Sequence, residues 1–126
     1  MIDHLAIQVR DVAASWAFYD AVLAPLGAKR VMEFPDLVGY GGSQPQFWVG
    51  PTTTAGDARE LHVAFAAVDR AAVIAFYDAA VAAGAEVLHE PRVWTEYHPS
   101  YFGAFVRDPD GNNVEAVCHL PEQEAE

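Results

Sequence analysis

Apolar and polar positions alternate in short runs along this chain, and two stretches switch to helical spacing. Residues 2–9 (IDHLAIQV) place Leu5, Ile7 and Val9 on one face and Ile2, His4, Ala6 and Gln8 on the other, the period of a strand. Over residues 12–24 Val12, Trp16, Tyr19 and Leu23 recur at helical spacing, with Asp11 placed to cap the start and Pro25 and Gly27 to end it. Residues 29–34 and 36–41 read as strands on either side of Pro35, and 46–50 (QFWVG) as a fourth. The polar, turn-rich stretch 51–60 (PTTTAGDARE) joins this half to the next. The order then repeats: a strand at 61–67, a helix at 70–83 between Asp69 and Gly84, strands at 85–89 and 102–107, a DPDGN turn and a closing strand at 113–119. The acidic tail 121–126 reads as frayed. This pattern predicts an α+β fold in one domain over residues 1–126. It has two βαβββ modules, about 1–50 and 60–120. Their eight strands are expected to form one curved mixed sheet, a cup with both helices on its convex face.

The two halves also resemble each other in sequence. HLAIQVRDVAASWAFYDAVLAPLG (4–27) returns as HVAFAAVDRAAVIAFYDAAVAAGA (62–85), with 11 of 24 positions identical. The shared positions include His4 with His62, Asp11 with Asp69 and the run AFYDA. Two copies of a half-chain unit mean paired half-domains sharing a core rather than a solenoid. A histidine leads each copy, so a matched pair of imidazoles is expected about a pseudo-two-fold axis.

Composition narrows the class. A net charge of −11, with only seven Lys and Arg and no basic cluster, excludes a nucleic-acid backbone or an anionic membrane surface as partner. Cys118 is the sole cysteine, so no intrachain disulfide forms. No apolar run is long enough to span a bilayer, and residues 1–10 read as strand rather than leader. A cytoplasmic protein is the expectation.

Alternation then sorts the faces. If Leu5, Ile7, Val9 and Val63, Phe65, Ala67 meet the helices, His4 and His62 point into the concave side beside the small Ala6, Ala64 and Ala66. In the closing strand Val114 and Ala116 alternate with Asn113, Glu115 and Val117, so Glu115 points inward too. A carboxylate at the centre of an apolar strand costs several kcal/mol unless it is paired or bound to a metal. Arg107 on the neighbouring strand is one candidate partner. Two imidazoles and a carboxylate converging on a cleft make a facial site with open positions for Fe, Mn, Ni or Zn, among which spacing does not choose. Cys118 has the opposite parity to Glu115 and is expected to pack inertly under a helix.

On these residues the chain resembles the vicinal oxygen chelate superfamily, the glyoxalase/bleomycin-resistance/extradiol dioxygenase proteins. The resemblance rests on IDHLAIQVRDVAASWAFYDAVLAPLGA, LHVAF and, most specifically, GAFVRDPDGNNVEAV, and it covers nearly the whole chain. It implies a cup around a divalent metal held by His4, His62 and Glu115, a homodimer, and lyase, isomerase or dioxygenase chemistry on a small oxygenated molecule. Glyoxalase I proteins usually add a fourth, carboxylate ligand on the last strand of the first module. Here that strand offers Gln46, Phe47 and Trp48, so true glyoxalase I activity is not expected. The rival reading is a metal-free protein of the bleomycin-resistance type that sequesters a small molecule or drug. Retention of His4, His62 and Glu115 favours the metalloenzyme.

The segment HEPRVWTEYHPSYFGAF (89–105) reads as a functional loop, a lid or wall of the cup. His98 and Tyr101 are its candidate acid/base groups, and Arg92 is placed to pair with a substrate carboxylate or phosphate. Trp94 here, with Tyr40, Gln46 and Trp48 in the first module, completes the expected lining.

Overall fold

The computed structural model of the chain describes residues 1–122, so positions 123–126 of the acidic tail lie outside the described residues. Both helices begin where the sequence places a cap. The Asp11 carboxylate accepts from Ala14 N at 3.0 Å and opens α1 (Val12–Leu23). Asp69 accepts from Ala72 N at 2.8 Å and opens α2 (Arg70–Ala82). A single 3-10 turn over Ala24–Leu26, carrying Pro25, prolongs α1 before Gly27 at φ 82° turns the chain away. Gly84, at φ 83°, does the same after α2.

Eight strands accompany the helices: β1 (Leu5–Val9), β2 (Lys29–Glu33), β3 (Val38–Gly41) and β4 (Phe47–Pro51) in the first module, and β5 (His62–Ala66), β6 (Val87–Val93), β7 (Phe102–Arg107) and β8 (Asn113–Cys118) in the second. Each module is one mixed sheet. The orders are β1-β4-β3-β2 and β5-β8-β7-β6, with the first and last strands of each module parallel and the other pairs antiparallel. Two βαβββ units are therefore present, but their strands stay in two four-stranded sheets rather than one of eight. Among the described residues the modules meet through side chains, chiefly where α1 packs on α2.

The apolar faces meet the helices as alternation requires. Ile7 and Val9 from β1, Val49 from β4, and Ala104, Val106, Val114 and Ala116 from β7 and β8 join Phe18, Tyr19, Val22, Val73 and Phe76 in one buried cluster. Cys118 lies in it as well, buried under the helices. Burying each large side chain of this set contributes about 1.5–3 kcal/mol. The Tyr19 phenol crosses between modules and donates to Asp108 Oδ2 at 2.6 Å, tying α1 to the turn between β7 and β8. The backbone N–H of Arg10 reaches Asp110 in the same turn.

One element differs from the sequence reading. β6 runs on to Val93, so positions 89–93 are strand rather than loop. Pro91 sits inside it without breaking the sheet, because β6 is an edge strand and its register shifts between His89 and Arg92.

Candidate metal centre and its surroundings

The face of the second sheet turned away from the helices holds most of the candidate residues of the second module. Glu115 lies in the middle of β8, between Ala64 on β5 and Phe105 on β7. The alanine is small and the phenylalanine apolar, so neither sheet neighbour offers the carboxylate a partner. Its side chain is only 1% exposed. Both oxygens are nonetheless met. His62 Nε2 stands 2.8 Å from Oε1, and Tyr101 donates its phenolic proton to Oε2. Arg107 is not the partner that the sequence suggested. Its guanidinium is drawn to Glu60, Glu86 and the Gly111 carbonyl instead. Burial, reinforced by the Glu115 hydrogen bond and charge, raises the Tyr101 phenol well above its ordinary pKa of about 10. Tyr101 therefore carries its proton at neutral pH.

Around this pair the wall is aromatic. Phe105 faces His62, His89 and Trp94 with ring centroids 6.0, 5.5 and 5.1 Å apart. Trp94 donates its indole N–H to the Gly103 carbonyl and is buried. Tyr101 meets the edges of Tyr97 and His119. Arg92 is engaged here: its guanidinium lies 3.3 Å from the Trp94 ring centroid and reaches Glu96 at 3.2 Å. His98 turns onto its own loop, where Nδ1 accepts from Ser100 N. It is not among the partners of Glu115.

The first module's concave face lies apart. His4 sits one residue ahead of β1, exposed, with Nδ1 2.7 Å from Asp3. A groove of about 910 Å³ runs over this face past His4, Ala6, Leu37, Pro45, Gln46 and Trp48. Trp48 lies across Gly39, whose missing Cβ would come within 2.8 Å of the indole ring, and stacks on Phe34. Tyr40 points the other way, toward the helices, where its hydroxyl donates to Asp20 and to the Trp16 carbonyl. It does not line the cup, because β3 presents Gly39 and Gly41 to the concave side.

The structure thus brings His62, Glu115 and Tyr101 together, and within one chain it leaves His4 outside. Among the described residues no three His, Cys, Asp or Glu side chains stand close enough to hold a metal. The donor chemistry of His62 and Glu115 fits a divalent ion, as two of the three expected ligands. Sequence reasoning did not single out Phe105 and His89 of the wall, nor Gly103 and His119. Gly103 was detectable only as a glycine inside a strand, the mark of a close approach. His119 gave no signal beyond its residue type.

A family model described as Glyoxalase/Bleomycin resistance protein/Dioxygenase superfamily matches residues 1–116. No curated protein matches the chain. Among solved structures, a glyoxalase/bleomycin resistance protein from Albidiferax ferrireducens T118 is 28% identical with a TM-score of 0.80, over 91% of this chain and 96% of that one. A lactoylglutathione lyase from Agrobacterium tumefaciens is 25% identical with a TM-score of 0.68, over 94% and 92%. A fosfomycin resistance protein from Mesorhizobium loti, 16% identical with a TM-score of 0.65 over 91% and 88%, shares the fold. No described helix is long and apolar enough to cross a membrane. With the matched pair of modules, the DPDGN turn and the inward glutamate of β8 all in place, the chain belongs to the glyoxalase/bleomycin resistance protein/dioxygenase superfamily, also called the vicinal oxygen chelate superfamily.

Proposed function

We propose that this protein is a divalent-metal-dependent enzyme of the vicinal oxygen chelate type that acts on a small, oxygenated substrate. The observation that carries the reading is the burial of Glu115. A carboxylate 1% exposed, flanked by an alanine and a phenylalanine and facing one imidazole and one phenol, has no lysine or arginine against it. A divalent cation supplies the positive charge. His62 Nε2 and Glu115 Oε1 would hold the ion. When bound it supplies Lewis-acid polarisation of a substrate oxygen. The metal-free drug-sequestering reading makes no use of this buried carboxylate beyond its pairing with His62 and Tyr101.

The third donor is proposed to be His4 of a second copy. β1 and β5 are edge strands of separate sheets, and each leaves one side of its main chain unpaired. A homodimer that lays β1 of one copy beside β5 of the other brings His4 toward His62 and Glu115, twice by symmetry. The chain's own residues then do the remaining work. Trp48 and Phe34 from one copy face the aromatic wall of Phe105 and Tyr101 from the other, excluding water around a ring or short chain. The two arginines near this wall are already neutralised by Glu96 and by Glu60 and Glu86. An uncharged substrate suits that lining better than a phosphonate or a peptide carboxylate. Tyr101 is placed to keep its proton beside the reacting centre.

Elemental analysis of untagged protein tests the reading. About one divalent ion per chain is expected, lost in Glu115→Gln and in His62→Ala at unchanged circular dichroism. Metal content undiminished in both variants would overturn it.

A further inference from the structure

We infer that Tyr101 is a positioning residue that restricts Glu115 to a single coordinating oxygen. This role rests on the metal reading above and specifies how the carboxylate takes part in it. Glu115 has two oxygens in two different settings. Oε1 faces His62 Nε2 at 2.8 Å, and Oε2 receives the Tyr101 hydroxyl. His62 Nε2 and Glu115 Oε1 would hold a cation between them. Oε2 already accepts the phenol proton, which competes with an ion for that oxygen.

The phenol is held in place rather than lying there by chance. Trp94 N donates to the Tyr101 carbonyl at 2.7 Å, and Tyr101 N donates to the His98 carbonyl at 3.1 Å, so the loop closes on itself directly before β7. Tyr97 and His119 brace the ring with edge contacts at 5.2 and 5.1 Å. Gly103 supplies the space. A Cβ there would stand 3.2 Å from Tyr101 Cε1 and 3.3 Å from Glu115 Oε2, wedging between the two partners. A glycine inside a strand otherwise weakens it, and here it admits the phenol to the carboxylate. Outer hydrogen bonds of this type fix ligand orientation, and their loss typically costs about 10–100-fold in metal affinity.

Cobalt(II) is the probe, because its visible absorption reports coordination number as well as occupancy. Wild type, His62→Ala, Tyr101→Phe, Gly103→Ala and Thr95→Ala would be titrated as intact proteins against a competing chelator. Tyr101→Phe is expected to bind about 10–100-fold more weakly, with fainter visible bands as the freed Oε2 joins the ion. Gly103→Ala, which keeps the phenol but displaces it, is expected to move both readouts in the same direction. It carries the test alone should Tyr101→Phe fail to fold. Thr95→Ala, at an exposed position of the same loop whose hydroxyl meets Glu96, is expected to match wild type. Cobalt binding lost in His62→Ala yet unchanged in affinity and spectrum in Tyr101→Phe and Gly103→Ala would overturn the positioning role alone. A wild type that takes no cobalt, or takes it equally well without His62, would overturn the metal reading and this role with it.

Discussion

Replacing Tyr19 with phenylalanine isolates one hydroxyl that links the two modules. The ring contacts survive the change, since Phe18 and Phe47 meet the Tyr19 ring at 5.0 and 4.9 Å and the substitution keeps that shape. What is lost is the 2.6 Å hydrogen bond to Asp108 Oδ2, between residues 1% and 5% exposed. Asp108 keeps its bonds from Asn112 Nδ2, Asn112 N and Asp110 N, so the turn itself stays closed. A buried hydrogen bond to a charged group contributes about 1.5–3 kcal/mol, so a loss of about 2 kcal/mol is expected near neutral pH. In urea, with a slope of about 1–3 kcal/mol/M, that moves the unfolding midpoint down by about 1 M at unchanged slope. Alkaline pH supplies a second, opposite signature. Burial first, and then the Asp108 charge, holds the Tyr19 phenol protonated far above its ordinary range. The folded chain keeps this proton while the unfolded chain releases it above about pH 10. The unfolded state then binds fewer protons, and wild-type stability falls by about 1.4 kcal/mol per pH unit from this group. Tyr19→Phe lacks that loss, and the remaining tyrosines titrate alike in both proteins. The wild-type advantage should therefore be full below pH 9 and gone by about pH 11.5. A gap below about 0.5 kcal/mol at pH 8, or one that stays constant through the alkaline range, refutes the reasoning.

Mixing His4→Ala chains with Glu115→Gln chains tests the shared site: refolded together, they should regain one intact site per mixed dimer, roughly a quarter of wild-type metal in a statistical mixture. No regain would place His4 outside the centre. Methylglyoxal with glutathione should give no turnover near the ordinary enzyme range of about 1 per second or faster with Ni, Zn, Mn or Fe added, because Trp48 and Gln46 stand where a fourth carboxylate is expected. Gly39→Ala should lower stability by about 1–3 kcal/mol in urea unfolding, since its Cβ meets the Trp48 ring and Pro45 at 2.8–2.9 Å. An unchanged midpoint would mean that the indole moves aside freely.

Much of the fold was legible because its signals are local. The caps Asp11 and Asp69, the terminal Gly27 and Gly84, and the alternation of Ile7 and Val9 against Ala6 and Gln8 each act within a few residues. The inward side of Glu115 follows from the same parity. Tyr40 was misplaced because VGYGG has no alternating side chains from which to read a face. β6 was cut short because HEPRV breaks the period with a proline that only an edge strand tolerates. The partners of Glu115 lie 53 and 14 positions away, and no local pattern encodes that meeting. Whether eight strands close into one sheet or stay as two is decided by edge pairing, to which alternation is blind.

That division into two sheets also bears on how the chain folds. Leu5 pairs with Phe47 and His62 with Asn113, so each parallel closure spans well under half of the chain. The entropic cost of ordering a long loop is met twice at short range instead of once across the whole molecule. Docking of α1 on α2, with Tyr19 reaching Asp108, is left to follow. Conservative substitutions inside β4 or β8 should then slow folding, while those at the helix contact should mainly speed unfolding, a contrast that φ-values measure directly.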